Sequence, residues 1–518
     1  MIVINKGRNL DLEDFRQLLY TNASIDFSED ILYLVERNFN FLKKYAENKI
    51  IYGINTGLGP MAQYKIDDDK STDLQLNLIR SHAAGVGEPL HDLDVLSSLI
   101  VRAKCFCGGF SGIHKDVLRI LKELINHRIT PFIPEHGGVG ASGDLVQLAH
   151  IALVLIGEGK VKYKKEWYDT GKLFTQLGIT PLKIKIREGL ALINGTSVMT
   201  GIGIVNLINA LNLLNWSVLA SVMINEIVST FDDHCSPELN NLKLHQGQRK
   251  VAAVMHKLFS DSKLTLNRND TLYSNAHNGS FKIDKKVQEY YSLRCVPQIL
   301  GPVYDTLQYA SQVLLNEANS ISDNPIIHEE SNYVYHGGNF HGDYIAFEMD
   351  KMKIAVTKLT MLVERQLNFV MNHRLNKILP PFVNLGTLGL NLGMQGAQFT
   401  AVSTTAENQT LSTPMYIHSI PNNNDNQDIV SMGTNAAMMA KKVINNAYQV
   451  LSIEFMALLQ AIDYLNISEK LSHETLSVYN DLRKLFPKFE SDYPIYEDIE
   501  KVVFYLRTTC KTNIDLNE

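Results

Sequence analysis

The sequence predicts a mainly α fold, with a mixed N-terminal part and a helical-bundle remainder. Three observations carry this. From about residue 198 onward, apolar residues recur at helical spacing over long stretches. Strand–helix–strand alternation is scarce, which argues against a parallel sheet. The most apolar segment, 199–228, is interrupted by Asn206, Asn209, Asn212 and Asn215. A polar residue at every third position marks a helix packed among other helices rather than a membrane span. The expected division is an N-terminal domain over 1–197 and a helical domain over 198–518.

Taken in order, residues 10–47 carry helical periodicity, with Asp11 and Ser28 placed as N-caps. Ile50-Ile51-Tyr52-Gly53-Ile54-Asn55-Thr56-Gly57-Leu58-Gly59-Pro60 is a β-branched run entering a glycine-rich loop. Such a loop lets backbone approach a ligand closely and leaves Tyr52 at its lip. Helical patterns follow at 73–82, ending in Ser81-His82, and at 95–105, 116–127 and 145–156. Residues 161–167 read as a small hairpin strand, and 188–196 as a segment ending in a polar turn before a helix. Long helices are expected at 198–230, 285–318, 345–375, 432–464 and 472–486, with an exposed polar loop at 263–286.

A net charge of −6 excludes the basic footprint of a nucleic-acid binder and a polybasic membrane surface. The five cysteines are scattered, and Cys105-Phe106-Cys107 lacks the second pair that a zinc site needs. Free thiols and a reducing cytoplasm are therefore expected. The first residues, Met1-Ile2-Val3-Ile4-Asn5-Lys6-Gly7-Arg8, show no long apolar leader.

The chemistry centres on Gly137-Gly138-Val139-Gly140-Ala141-Ser142-Gly143-Asp144-Leu145. Gly138 to Gly143 has the spacing of a dinucleotide-binding turn, but that turn needs a strand before it. The preceding Thr130-Pro131-Phe132-Ile133-Pro134-Glu135-His136 carries two prolines, unsuited to a central parallel strand. A sharper reading concerns Ala141-Ser142-Gly143. Two small residues and a glycine let the backbone close until the Gly143 nitrogen meets the Ala141 carbonyl carbon. Cyclisation and loss of water, including the Ser142 hydroxyl, give a 4-methylidene-imidazole-5-one with an electrophilic exocyclic carbon. By itself the triplet reads first as a flexible Gly-Ser loop; its company reverses that reading.

That company is four polar clusters in an apolar chain. In Gln288-Glu289-Tyr290-Tyr291-Ser292-Leu293-Arg294-Cys295, a helix would put Tyr291 with Arg294, and Gln288 with Tyr291, on one face. An arginine so placed suits a two-point clamp on a carboxylate. The others are Ser322-Asp323-Asn324-Pro325, His336-Gly337-Gly338-Asn339-Phe340-His341 and Asn422-Asn423-Asn424-Asp425-Asn426-Gln427-Asp428. Each taken singly is a cap or turn.

With these residues in hand, the chain resembles the aromatic amino acid ammonia-lyases, from about residue 50 to about residue 465. The matching segments are Tyr52 to Gly57, Gly140 to Leu145, Leu192-Ile193-Asn194-Gly195-Thr196, Gln288 to Arg294, Ser322 to Pro325, Gly338 to His341 and Asn426-Gln427-Asp428. The resemblance implies a fumarase/aspartase-like ammonia-lyase architecture of antiparallel helices. It also implies a homotetramer with active sites built from more than one chain. The cofactor would be self-made from Ala141-Ser142-Gly143, with no metal and no dissociable coenzyme. The implied reaction removes ammonia from an aromatic L-amino acid and leaves a trans-2,3-unsaturated acid.

Carried over residue by residue, Tyr52 would abstract the β-proton, acting as a phenolate in a local positive field. Arg294 would hold the substrate carboxylate, Asn194 and Tyr291 would hydrogen-bond the electrophile or amine, and Phe340 would pack the ring. Gly59, Gln288, Asn324, Asn426 and Gln427 match pocket positions. His82 stands where the family reads the substrate ring, which fits tyrosine or histidine and disfavours phenylalanine. Glu407 and Ser81-His82-Ala83-Ala84-Gly85 look like the histidine enzymes. Residues 287–303, 335–345, 379–388 and 418–433 look like bacterial tyrosine ammonia-lyases, and Asp144-Leu145-Val146-Gln147 departs from the Asp-Leu-Ala-Pro of the histidine enzymes. L-Tyrosine, giving trans-p-coumarate, is the expected substrate. L-histidine is the alternative, and a tyrosine 2,3-aminomutase would use the same electrophile.

Overall fold

The computed structural model describes residues 1–273, 280, 282–283, 286–509 and 516. These form two compact units, each gathered from three segments of chain. The first comprises Met1–Ile208, Ala310–Asp350 and Pro414–Lys441; the second comprises Asn209–Tyr309, Lys351–Thr413 and Lys442–Glu518. The chain passes from one to the other at 208/209, within the helix Ser197–Ile227, whereas the sequence changes character at 197/198. A helix keeps its periodicity through such a point, so the pattern alone gives no sign of it.

In the first unit the expected helical stretch 10–47 is two helices, Leu12–Tyr20 and Glu29–Tyr45, separated by a strand, Ile25–Phe27, that pairs in parallel with Ile2–Ile4. Asp11 caps the first helix: it accepts from the Asp14 N–H at 2.8 Å while Asp14 accepts from the Asp11 N–H at 3.2 Å. Ser28 stands at the second N-cap, but its hydroxyl donates to the Ile4 carbonyl instead. Helices follow at Ser71–His82, Asp92–Phe106, Asp116–Asn126, Leu145–Leu155 and Glu188–Ile193. The hairpin expected near 161–167 is Lys160–Tyr163 paired with Glu166–Asp169. Around the two prolines lie only Thr130–Pro131 and Pro134–His136, both paired antiparallel. The parallel strand required by a dinucleotide turn is therefore missing there.

Among the described residues the second unit has no strand. Besides parts of the long helices Ser197–Ile227, Val296–Ala318, Asp343–Met371 and Gly433–Leu465, it contains His473–Arg483 and three helices of more than ten residues that the sequence pattern did not reveal. These are Gln246–Phe259, Gln395–Leu411 and Tyr496–Thr508. Gln395–Leu411 mixes alanine, threonine and glutamine on every side, so it shows little amphipathic contrast. The expected helix 285–318 is broken. Tyr291–Arg294 forms one turn and Val296–Ala318 starts afresh. Pro297 has no N–H to give to the Leu293 carbonyl, so the helix cannot run through; that carbonyl accepts from Asn225 Nδ2 at 3.4 Å. Residue 285, and 274–279, 281, 284 and 285 of the expected loop 263–286, lie outside the described residues.

Two asparagines of the apolar helix, Asn206 and Asn212, find carbonyl partners for their side-chain N–H groups, as a core helix demands. Asn206 donates to the Ala437 carbonyl at 2.8 Å, within the first unit. Asn212 donates to the Leu506 carbonyl at 2.7 Å and to Tyr448 Oη at 3.0 Å, within the second. Ser197–Ile227 is long and apolar enough to cross a membrane by length and composition, but 89% of its most apolar window is buried inside the protein. Cys105, Cys107, Cys235 and Cys295 are free thiols, and Cys510 lies outside the described residues. No group of three or more metal-ligating side chains occurs among the described residues.

Candidate active site

A cavity of about 1080 Å³ opens in the first unit. Tyr52, Gly59, His82, Ser142 and Asn194 line it, as do Asn324, Phe340, Asn426 and Gln427. Nine of the residues singled out from sequence thus meet at one place. Ala141 and Gly143, flanking Ser142, are both buried. Gln288, Tyr291, Arg294 and Glu407 belong to the second unit.

The loop bearing Ser142 is held by backbone from several directions. Gly143 forms a bridge with Gly195, and the Asp144 N–H donates to the Gly195 carbonyl at 2.8 Å. The Gly140 carbonyl accepts from the Gly342 N–H at 3.2 Å and from Ser431 Oγ at 3.0 Å, and the Met432 N–H donates to the Val139 carbonyl at 3.0 Å. Residues 342 and 432 immediately precede the helices Asp343–Met371 and Gly433–Leu465, and Asp144 precedes Leu145–Leu155. Asp144 Oδ2 accepts from the Val198 and Met199 N–H groups at 2.8 and 2.9 Å, in the first turn of Ser197–Ile227. Four helix N-termini therefore converge on residues 139–144 and place their positive ends there.

Asp144 also accepts from Thr434 Oγ1 at 2.6 Å. Burial pushes its carboxyl up to about 6, against the pull of these donors. It ties the loop to two helix starts, a structural part that the sequence reading quoted without assigning.

The triplet fits the ring expected of it. Gly143 has φ +72, and a Cβ there would lie 1.9 Å from the Gly195 carbonyl oxygen, so no other residue could occupy it without displacing backbone. Ser142 Oγ accepts from Gln427 Nε2 at 2.8 Å, and the Ser142 carbonyl accepts from Asn194 Nδ2 at 3.3 Å. Asn194 Oδ1 is buried without a hydrogen-bond partner and is free to serve a group that the ring or a substrate brings.

Tyr52 is placed by a turn rather than a strand: the Ile54 and Asn55 N–H groups return to the Ile51 carbonyl. Asn55 ties the turn down, accepting from the Ile51 N–H at 2.9 Å and donating to the Lys49 carbonyl at 2.8 Å. The fully buried Gln75 links it to the next wall, donating to the Gly53 carbonyl and accepting from the Leu190 N–H at 2.9 Å. The Gly59 N–H donates to Tyr52 Oη at 3.3 Å.

His82 ends the helix Ser71–His82 with Nδ1 2.9 Å from the Leu78 carbonyl oxygen. A carbonyl only accepts, so Nδ1 carries the hydrogen. In the neutral ring Nε2 is then the acceptor. The cavity that His82 lines also carries the apolar side chains of Leu74, Leu78, Leu145, Leu190 and Phe340.

Asn426 and Gln427 follow Asn423, Asn424 and Asp425, three consecutive left-handed residues with φ 54, 52 and 58. Asn422 and Gln427 close this turn by mutual backbone hydrogen bonds. Asparagine and aspartate tolerate that region better than other non-glycine residues, which accounts for the Asn-rich run. Asn324 Oδ1 accepts from the Gly337 N–H at 2.7 Å and so fixes the 336–341 loop that carries Phe340. His336, which opens the same polar cluster in the sequence but was given no role there, also lines the cavity.

In the second unit, Tyr291 and Arg294 share the single helical turn, with the Arg294 guanidinium 4.8 Å from the Tyr291 ring centroid. Gln288 precedes that turn in non-helical backbone, so the expected Gln288–Tyr291 helix face does not form. Glu407 accepts from Asn446 Nδ2 at 2.5 Å and lies 3.7 Å from Lys442 Nζ.

A family model described as aromatic amino acid lyase matches residues 10–484. A histidine ammonia-lyase of Shouchella clausii is 37% identical over 511 residues, 98% of this chain and 99% of its own. A tyrosine 2,3-aminomutase of Myxococcus fulvus is 40% identical over 457 residues, 87% of each chain. The crystal structure of a tyrosine aminomutase from Streptomyces globisporus, 35% identical, superposes with a TM-score of 0.93 over 98% of this chain and 96% of that one.

Proposed function

Because the chain belongs to the aromatic amino acid lyase family, we propose that it eliminates ammonia from an aromatic L-amino acid, L-tyrosine, to give trans-p-coumarate. One observation carries this reading: Ser142, Tyr52 and His82 face the same cavity. The reaction breaks a C–N bond after loss of a weakly acidic β-proton, so it needs a base and help for the leaving amine.

Formed from Ala141-Ser142-Gly143, a 4-methylidene-imidazole-5-one would supply an electrophilic carbon that makes the amine a better leaving group. Asn194, which donates to the Ser142 carbonyl oxygen that the ring would keep, is placed to hold it, and Gln427 holds the Ser142 hydroxyl that its formation would expel. Tyr52 takes the β-proton. The Gly59 N–H points at the oxygen that does so, and helix N-termini supply the positive surroundings in which a phenolate is favoured. Arg294 holds the substrate carboxylate, with Tyr291, Gln288, Asn324, Asn426 and Glu407 in family-matched supporting roles. A homotetramer with shared active sites, acting in the cytoplasm, belongs to the same proposal.

The preference for tyrosine rests on His82. Its Nε2 suits the phenol O–H, and the leucines that line the same cavity suit a benzenoid ring better than an imidazole. Histidine is the second reading, favoured by relatives such as the Shouchella clausii enzyme and by the ability of an imidazole N–H to meet the same acceptor. Incubation with tyrosine, histidine and phenylalanine separately tests the substrate through the ultraviolet spectrum of the product. The tyrosine reading expects p-coumarate, and urocanate alone would overturn it. A β-amino acid as the main product would instead make the chain an aminomutase.

A further inference from the structure

We propose that His336 is a positioning residue that sets the plane of the Tyr52 phenol. The proposal rests on the reading of Tyr52 as the base. The two rings meet edge to face, with centroids 6.2 Å apart and planes at 78°, and both line the cavity. This is the geometry that aromatic pairs prefer. The hydrogen bond to Tyr52 Oη is long, at 3.3 Å, and fixes only the oxygen end. What packs against the ring must then fix its rotation.

His336 is well suited to this because its own backbone is anchored to the core. The next residue, Gly337, gives its N–H to Asn324 Oδ1 at 2.7 Å. Asn324 lies between two residues gripped by the buried Arg187. Its Nη2 donates to the Pro325 carbonyl at 2.6 Å, and its guanidinium pairs with the buried Asp323 carboxylate at 3.4 Å. A buried ion pair thus sets the height of the loop, the loop sets the His336 ring, and the ring sets Tyr52. Crowding by protein atoms, and then the Arg187 charge, hold the His336 pKa below the ordinary imidazole value. The ring therefore meets Tyr52 as a neutral aromatic edge rather than as a cation.

The test compares His336→Ala with His336→Phe in the full-length protein, using the amino acid that wild-type protein turns over. Loss of the ring should lower kcat roughly 10- to 100-fold, the scale of a misplaced reacting group. KM should change little, since substrate binding does not pass through the phenol plane. His336→Phe keeps an aromatic edge and should recover most of kcat. The melting temperature and the ultraviolet absorbance of the Ser142-derived ring should match wild type in both. Should the alanine protein fail to fold, His336→Leu, apolar but not aromatic, takes its place with the same expected loss. Wild-type kcat in the alanine or leucine protein would overturn the proposal. So would equal losses in all variants, which would assign the role to the ring nitrogens. Failure of the parent reading looks different: Tyr52→Phe would then keep its kcat, and both assignments would fall.

Discussion

The Gln427 side-chain nitrogen donates to the Ser142 hydroxyl at 2.8 Å, between residues 285 positions apart in sequence. The contact depends on the three left-handed residues before Gln427. Two substitutions separate the contact from the turn. Gln427→Leu removes the donor at similar volume. A neutral hydrogen bond is worth about 1 kcal/mol, so formation of the ring from the hydroxyl that Gln427 holds should slow roughly 5-fold, and freshly made protein should carry correspondingly less activity. Asn424→Val puts a β-branched residue at φ 52, which costs about 1–3 kcal/mol of local strain. It should lower both activity and melting temperature. Steady-state kinetics and thermal melting of the two proteins check this; full activity in both would remove Gln427 from the site.

Tyr52→Phe should lower kcat by roughly three orders of magnitude or more while substrate still binds, because only the proton acceptor is lost. Gly59→Ala should act on the same step more mildly. Gly59 has φ +54, and a new Cβ would come within 2.9 Å of Asn423 Nδ2, so the donor to Tyr52 Oη would shift. Rapid-quench measurement of product formation, paired with substrate affinity, separates these effects. A Tyr52→Phe protein with most of its kcat would dismiss Tyr52 as the base.

His82→Phe should reverse or narrow the preference for tyrosine over phenylalanine. A site built for a hydroxyl rejects the analogue lacking it by as much as about 10⁴–10⁵, because the site's own polar group is stranded. With an apolar wall of similar size nothing is stranded, and the ratio of kcat/KM values should shrink by about 10²-fold or more. An unchanged ratio would show that His82 does not read the ring.

Glu188 gives a stability prediction independent of the reaction. Its carboxyl is buried, accepts from the His114 N–H at 2.9 Å and the Lys185 N–H at 2.6 Å, and is pushed by burial from the ordinary 4.5 up to about 7. A folded-state pKa above the unfolded one means that the native state holds the proton more tightly. The stabilisation is therefore complete below about pH 4.5 and is lost as pH rises through about 7. The interval corresponds to about 3 kcal/mol. Glu188→Gln does not titrate, so wild type should lose stability relative to the variant between pH 5 and pH 8. Melting curves of both proteins at the two pH values check the sign. A gap that stays constant or moves the other way would contradict it.

Much of the site was legible because its chemistry demands particular residue types. Only glycine fits position 143 against the Gly195 backbone, and Tyr52 sits in a loop whose glycines announce close approach. What was illegible depended on long-range pairing. Asp144 acquires its role from helices starting at residues 197 and 433, and His336 from Asn324 and Tyr52; none of these partners is adjacent in sequence. The single long helix expected over 285–318 failed for a local reason, Pro297, which ends the turn Tyr291–Arg294 before Val296–Ala318 begins. The mainly α class followed from helical periodicity together with the scarcity of strand–helix–strand alternation. The two units did not, because each is assembled from three segments whose contacts leave no mark on local pattern.

The central claim is that the Ser142 hydroxyl is consumed in making the electrophile that drives ammonia release. The most direct test is to measure ammonia released from L-tyrosine by wild-type and Ser142→Ala protein at equal concentration, with melting temperatures taken alongside. One oxygen is removed, so the variant should melt as wild type does. Its ammonia release should fall by roughly three orders of magnitude or more, as expected when a covalent catalytic group is lost. A Ser142→Ala protein that releases ammonia at the wild-type rate would contradict the account.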